Sequence, residues 1–239
     1  MTITANNLPG LPPVTRLDWQ IAGQPVPLFF AEIPSAEDTR TDYIQQYKAW
    51  LPSPLVSANA SRQAEFITGR LCSAAALAVQ GIEHHVVGSN TDRSPIWPGG
   101  VRGAISHKNH LAVAVASNNA QFVGVDLEVE LSASRIARIK SKIIDQQEMA
   151  VLEAADIDFV AGFTLVFSAK ETLYKAIYPF VKRYLGFSTS KLTGFTDDTL
   201  TLELRPDIAQ FVPHPASFSI KHRHFRDFRL TLLISNPPV

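Results

Sequence analysis

Phe122-Val-Gly-Val-Asp126-Leu-Glu128-Val129 is the stretch that decides the fold. Val123, Val125, Leu127 and Val129 recur at every second position, the period of a β-strand with one apolar face. That period sends Asp126 and Glu128 to the opposite face together, their Cα atoms about 7 Å apart. Glu130 continues that face as its solvated member. Two carboxylates so placed repel and raise each other's proton affinity. They stand either in water on an edge strand or around a shared hard cation, and the octapeptide alone leaves both open.

Some forty residues later comes Phe167-Ser-Ala-Lys170-Glu171-Thr-Leu-Tyr-Lys175, inside a helix expected from about Phe159 to Tyr178 and stopped by Pro179. Phe159, Phe163, Val166, Ala169, Leu173 and Ile177 form its buried stripe at the 3.6-residue period. Glu171 and Lys175 lie opposite, four apart in the favourable order, and Lys170 lies beside the apolar stripe. Taken alone, this is a surface ion pair worth about 0.3–0.5 kcal/mol and a lysine lifting its head to water. Taken with the strand, Asp126, Glu128 and Glu171 supply three oxygen ligands suited to Mg²⁺ (or Mn²⁺), with Lys170 and Lys175 beside them where a diphosphate needs cations. That is chemistry of metal-assisted phosphoryl or phosphodiester transfer.

Outward from these two segments the pattern is mixed. A helix from Ser61 as N-cap to Gly81 as C-cap buries Ile67, Leu71, Ala74, Ala75 and Ala78. Strands are expected at Ala104–Ser106 and Leu111–Ala116, with Asn118-Asn119 as a turn before the acidic strand. Ser134 opens a helical region reaching about Ala155, and the tail alternates at Leu200–Leu204, Phe218–Ile220 and Phe228–Ile234. Eight prolines in the first 55 residues forbid a long helix there, leaving a short edge strand at Val26–Ile33 and a short helix at Asp38–Trp50. The class is α+β.

The chain has 239 residues, with 22 Lys+Arg against 22 Asp+Glu. A zero balance disfavours a protein whose main task is gripping nucleic acid. The longest strongly apolar run, Leu111 to Ala116, is far below the ~20 residues of a membrane span. One cysteine, Cys72, excludes an internal disulfide and a Cys-rich zinc site, and reads as a small core residue. Met1 to Gly10 carries neither a basic nor an apolar leader region, so a cytoplasmic protein is expected.

The two segments together resemble the bipartite signature of the Sfp-type 4'-phosphopantetheinyl transferases, in the flavour of the enterobactin synthase component D-like branch. Further matches lie in order along residues 58 to 190: Arg62-Gln-Ala-Glu65-Phe66-Ile-Thr-Gly69-Arg70, Arg93-Ser-Pro95, Ile105-Ser106-His107, Tyr178-Pro179 and Arg183-Tyr-Leu-Gly186-Phe187. Arg93 stands where the family often has lysine, and Thr172 where it has serine or alanine. The resemblance implies two pseudo-symmetric α/β halves, residues 1–120 and 121–239, with coenzyme A in the cleft between them. It implies transfer of the phosphopantetheine arm from coenzyme A to a serine of an apo acyl or peptidyl carrier protein, releasing 3',5'-adenosine diphosphate, by a monomer. It also implies that Asp126, Glu128 and Glu171 hold Mg²⁺ and that Glu171 helps deprotonate the carrier serine. Lys170 and Lys175 would contact the phosphates, with Lys175 stabilising departing charge. Arg62, Arg70, Arg93, Ser106 and His107 would contact the nucleotide end. Eight residues apart on a helix is about 80° of rotation, so Arg62 and Arg70 can project to one side, and arginine suits bidentate phosphate contact.

Other features carry less. His84-His85 points two ways and suggests no metal. The basic segments Arg135, Arg138, Lys140, Lys142 and Lys221 to Arg229 are solvated by default, and the resemblance implies the first as the contact for an acidic carrier protein. No Gly-x-x-x-x-Gly-Lys loop, Gly-x-Ser-x-Gly elbow or His-Glu-x-x-His motif is present. Two rivals stay open: a Mg²⁺-dependent nuclease, and a silent module that binds coenzyme A.

Overall fold

The computed structural model describes residues 13–83, 85–213 and 216–235, so His84 and the Met1 to Gly10 segment lie outside the described residues. The chain divides into two compact units at Ala120/Gln121. Both follow one plan, a long helix packed on an antiparallel sheet.

In the first unit, β1 (Thr15–Ile21) and β2 (Gln24–Glu32) form a hairpin whose turn takes positive φ at Ala22 and Gly23. Next come α1 (Glu37–Tyr47), α2 (Ser53–Val56) and α3 (Ala60–Ala78). A two-residue ladder, β3 (Gly88–Ser89) with β4 (Pro95–Ile96), precedes β5 (Arg102–Lys108) and β6 (Leu111–Ser117). The sheet order is β1-β2-β6-β5. The expected edge strand is therefore interior over part of its length. Its prolines survive because Pro25 and Pro27 lie where β2 pairs only with β1, while Phe29 to Glu32 alone pair with β6. The long helix is capped by the Asn59 side chain, which accepts from the Arg62 amide, and ends at Val79, not at Ser61 and Gly81. Asn59 and Ser61 are both good cap formers, and local sequence does not rank them. Phe29, Tyr43, Ile67, Cys72, Leu77 and Ala114 fill this unit's core.

The second unit opens on β7 (Phe122–Glu128), followed by α4 (Ala133–Ile143), α5 (Gln146–Glu153) and α6 (Phe159–Val181). After β8 (Ser190–Phe195) and β9 (Thr199–Leu204) come α7 (Pro206–Ala209), β10 (Ser217–Phe225) and β11 (Phe228–Ser235). The sheet order is β7-β11-β10-β9-β8, so β7 joins β11, and Asn118-Asn119 links the units rather than turning a hairpin. The helical region expected from Ser134 is two helices. Ser132 caps the first, and Asp145 with Glu148 forms a capping box that starts the second.

Pro179 does not stop α6. It stands one turn from the end, where it forgoes a single N–H, and the left-handed Lys182 closes the helix by donating its amide to Tyr178 O at 2.9 Å. The extra turn carries Phe180 onto Phe122, ring centroids 5.2 Å apart. The apolar stripe of α6 is buried from Phe163 to Ile177, whereas Phe159, in the first turn, is 39% exposed. The helix lies very close to β7: a Cβ at Gly124 would meet Thr172 O at 2.2 Å. Among the described residues no helix is long and apolar enough to cross a membrane.

Candidate active site

Asp126 and Glu128 share one face of β7, and both are buried, at 7% and 5% exposure. β7 is an edge strand, but its acidic face is not in water, which removes the solvated reading. Asp126 is gripped from two sides. Its Oδ1 receives Lys175 Nζ at 2.8 Å and its Oδ2 receives the Ser168 hydroxyl at 2.8 Å. Lys175 also donates to Val125 O at 3.0 Å. Behind Asp126, the hydroxyls of Ser168, Thr231 and Thr172 form a chain, with oxygens 2.8 and 2.6 Å apart. A buried hydroxyl chain of this kind fixes the rotamer of the carboxylate it ends on.

Glu128 accepts the Val129 amide at 3.0 Å. Glu130 reaches solvent and pairs with Arg229, which lies opposite Glu128 in the ladder. Glu171 is half-buried, and burial pushes its carboxyl above the ordinary carboxylate range. Lys175 opposes that rise, and the negative charges of Asp126 and Glu128 add to it. The structure thus brings Asp126, Glu128, Glu171 and Lys175 into one electrostatic group. The expected Glu171–Lys175 pair is replaced by Lys175–Asp126, because the lysine leans toward β7, where a buried carboxylate and a carbonyl are both in reach.

Lys170 does not join this group. Its ammonium bonds Glu148 Oε1 at 2.6 Å, Ile143 O at 2.6 Å and Phe187 O at 3.2 Å, with its side chain 1% exposed. Burial lowers its proton affinity, and Glu148 opposes that. A cavity of about 90 Å³ opens beside Glu171, with Tyr174, Ile177, Tyr184, Leu185 and Phe187 among its walls. Lys170 also lines this cavity, with its ammonium on those three protein acceptors.

Among the described residues, no group of three His, Cys, Asp or Glu side chains is arranged to hold an ion. The chemistry of the donor set nevertheless fits a hard divalent cation. Three carboxylates offer oxygen only, two of them buried on one strand face and the third half-buried beside them, which suits a hard divalent cation.

In the first unit, Arg62 and His107 come together, Arg62 Nη1 lying 2.9 Å from His107 Nε2. Glu65 bonds Arg62 at 3.1 Å and lies 3.7 Å from His107 Nδ1. Ser106 is buried on β5 beside His107. Arg70 is turned in another direction. It stacks on Phe66 at 3.9 Å and donates to Val87 O, Gly88 O and the Ser89 hydroxyl. Burial, with Arg62 adding, draws its guanidinium down to about 10. Those contacts tether the small β3–β4 hairpin. Arg93 is exposed at the tip of that hairpin with φ +72. Arg135, Arg138, Lys140 and Lys142 lie along α4, the last three exposed.

Sequence reasoning assigned no role to Ser168, Thr231, Glu148 or Glu65. Ser168 and Glu65 sat inside quoted motifs. Thr231 left no local signal, and the only local signal at Glu148 is the capping box with Asp145, which points to a helix start and not to Lys170.

Two family models match in succession: the 4'-phosphopantetheinyl transferase N-terminal domain over residues 52–117 and the 4'-phosphopantetheinyl transferase superfamily over residues 122–233. Enterobactin synthase component D of Salmonella typhi is 38% identical over 162 residues, covering 67% of this chain and 68% of that protein. The protein of the same name from Escherichia coli strain K12 is 34% identical over 137 residues, covering 56% and 65%. The 4'-phosphopantetheinyl transferase PptT of Mycobacterium tuberculosis is 30% identical over 151 residues, covering 62% and 65%. The N-terminal model falls on the unit that carries Arg62 and His107, and the superfamily model falls on the unit that carries the carboxylates and α6. The chain therefore belongs to the 4'-phosphopantetheinyl transferase superfamily, as an enzyme with two antiparallel, helix-backed halves.

Proposed function

We propose that the protein transfers the phosphopantetheine arm of coenzyme A to a serine of an apo acyl or peptidyl carrier protein, in the cytoplasm and as a monomer. Carriers of siderophore-type peptide synthesis are the first candidates, since component D of enterobactin synthase is the similar protein in Salmonella and Escherichia. The observation that carries the reading is the burial of Asp126 and Glu128 on one strand face beside a half-buried Glu171 with raised proton affinity.

In this reading Asp126, Glu128 and Glu171 hold Mg²⁺, which supplies counter-charge to the diphosphate of coenzyme A. Arg62, Ser106 and His107, with Arg93 from the hairpin, take the nucleotide end, where a 3'-phosphate calls for arginine, while Arg70 holds that hairpin in place. The carrier serine oxygen forms a bond to the β-phosphorus as the bond to the adenosine-bearing phosphate breaks. The serine proton passes to Glu171, directly or through water. Lys175, already held against β7, offsets charge on the departing 3',5'-adenosine diphosphate.

Thermal unfolding with coenzyme A and Mg²⁺ tests the binding half. A concentration-dependent rise in Tm is expected, weaker in Arg62→Ala and largest with both ligands present. No rise at saturating ligand would contradict this reading. A nuclease would instead cleave DNA, against which the zero net charge speaks.

A further inference from the structure

Lys170 is a buried charge whose partners all lie within the protein. Its three N–H groups are spent on Glu148, Ile143 O and Phe187 O, so none is left for a ligand. Glu148 is equally committed. Its Oε2 accepts the Asp145 amide at 3.0 Å, its Oε1 accepts the Leu192 amide at 2.8 Å, and its side chain is 4% exposed. One ion pair therefore fastens four segments to a single turn of α6: the end of α4, the start of α5, the 3-10 turn Phe187–Thr189 and strand β8. The next residue on that turn is Glu171. Phe187, Thr189 and Ser190, in two of the fastened segments, also wall the cavity that opens beside Glu171.

Swinging Lys170 out to a phosphate would leave Glu148 buried without its cation, among the costliest single losses a protein interior can suffer. Keeping it inward holds the backbone on both sides of Glu171 in one arrangement. We propose that Lys170, paired with Glu148, is a positioning residue that sets Glu171 and the adjoining cavity wall, and is not a ligand of the coenzyme A phosphates. The proposal rests on the transferase reading above.

The test uses the full chain with Lys170→Met, Glu148→Gln, the double variant, and Lys175→Ala as the contrast. Coenzyme A affinity is read by equilibrium dialysis with Mg²⁺, and kcat and KM by transfer to an apo-carrier protein. Lys170→Met is expected to keep its Kd for coenzyme A within about threefold, because no phosphate contact is lost. Its kcat should fall about 10- to 100-fold, the scale of a small misplacement at a reacting centre. The double variant should be no worse than the worse single, since the two residues act as a unit. It also carries the same test should Lys170→Met fail to fold, because it buries no unpaired charge. Lys175→Ala should lose at least tenfold in affinity or rate.

A folded Lys170→Met, or the double variant, that binds coenzyme A tenfold more weakly would overturn the proposal in favour of a phosphate ligand. Wild-type kcat in that variant would overturn it in favour of a purely structural pair. A wild-type protein that binds coenzyme A but transfers nothing would remove the transferase reading, and the positioning role with it.

Discussion

Asp126 shows at single-residue scale how the site is set. An aspartate on an exposed edge strand would wander, but Lys175 and the Ser168 hydroxyl fix both of its oxygens. Ser168→Ala should break the chain through Thr231 to Thr172 and cost about 0.5–1.5 kcal/mol in denaturant unfolding. Activity should fall as well, because Asp126 loses one of its two supports. Unchanged stability and rate would show the chain to be incidental.

His222 gives a pH signature at the same scale. Burial lowers its proton affinity below the ordinary histidine value, with the Thr196 carbonyl and Asp198 opposing. A base with a depressed folded value adds stability that is complete above its unfolded value of about 6.5 and is lost as pH falls through the folded value. Acidifying from pH 7.5 to 5 should therefore lower the Tm of wild type more than that of His222→Gln, and parallel curves would contradict this.

The shared face of Asp126 and Glu128 was legible in the sequence because a two-residue period fixes facing whatever the partner strands are. The destination of Lys170 was not legible. Helical spacing ranks neighbours on one helix only, and Glu148 comes from another.

At the scale of elements, the site depends on how closely α6 lies on β7. Gly124 makes that approach possible, since any Cβ there would press on Thr172 O at 2.2 Å and on Ala176 Cβ at 3.1 Å. Gly124→Ala should cost about 1–3 kcal/mol from overpacking. It should also depress transfer by displacing Glu171 and Lys175 from Asp126, measured as kcat alongside the urea midpoint. A neutral Gly124→Ala would mean that the helix moves freely on the strand.

Helices with long apolar stripes and strands with clean alternation were readable, which is why α3, α6, β6, β7 and β11 were all anticipated. β1 and β8 were not, because Thr15–Ile21 and Ser190–Phe195 carry polar residues and, in the second, a bulge between Leu192 and Gly194 that blurs the period. The break between α4 and α5 was also hidden. Its marker, the Asp145–Glu148 capping box, lies within a run that otherwise sustains helix.

At the scale of the whole molecule, each unit has its own core, so large-to-small changes should act on the unit that contains them. Phe122 is fully buried against Phe180 and Phe218, and Phe122→Ala should cost the second unit about 3–5 kcal/mol. Hydrogen exchange should locate that loss in β7, β10, β11 and α6, and loss spread evenly over the first unit would contradict it. The zero net charge of the sequence proves uninformative about the site, because cancellation hides a buried acidic strand face in one unit and an arginine–histidine cluster in the other.

Phosphopantetheine transfer is the work proposed for this acidic face. Intact-mass measurement of an apo-carrier protein incubated with coenzyme A, Mg²⁺ and the enzyme tests it most directly. The carrier should gain the mass of one phosphopantetheine group with wild type, and almost none with Asp126→Ala or Glu171→Ala. No gain with wild type across a panel of apo-carriers would rule out the proposed transfer, and full gain with both variants would remove Asp126 and Glu171 from it.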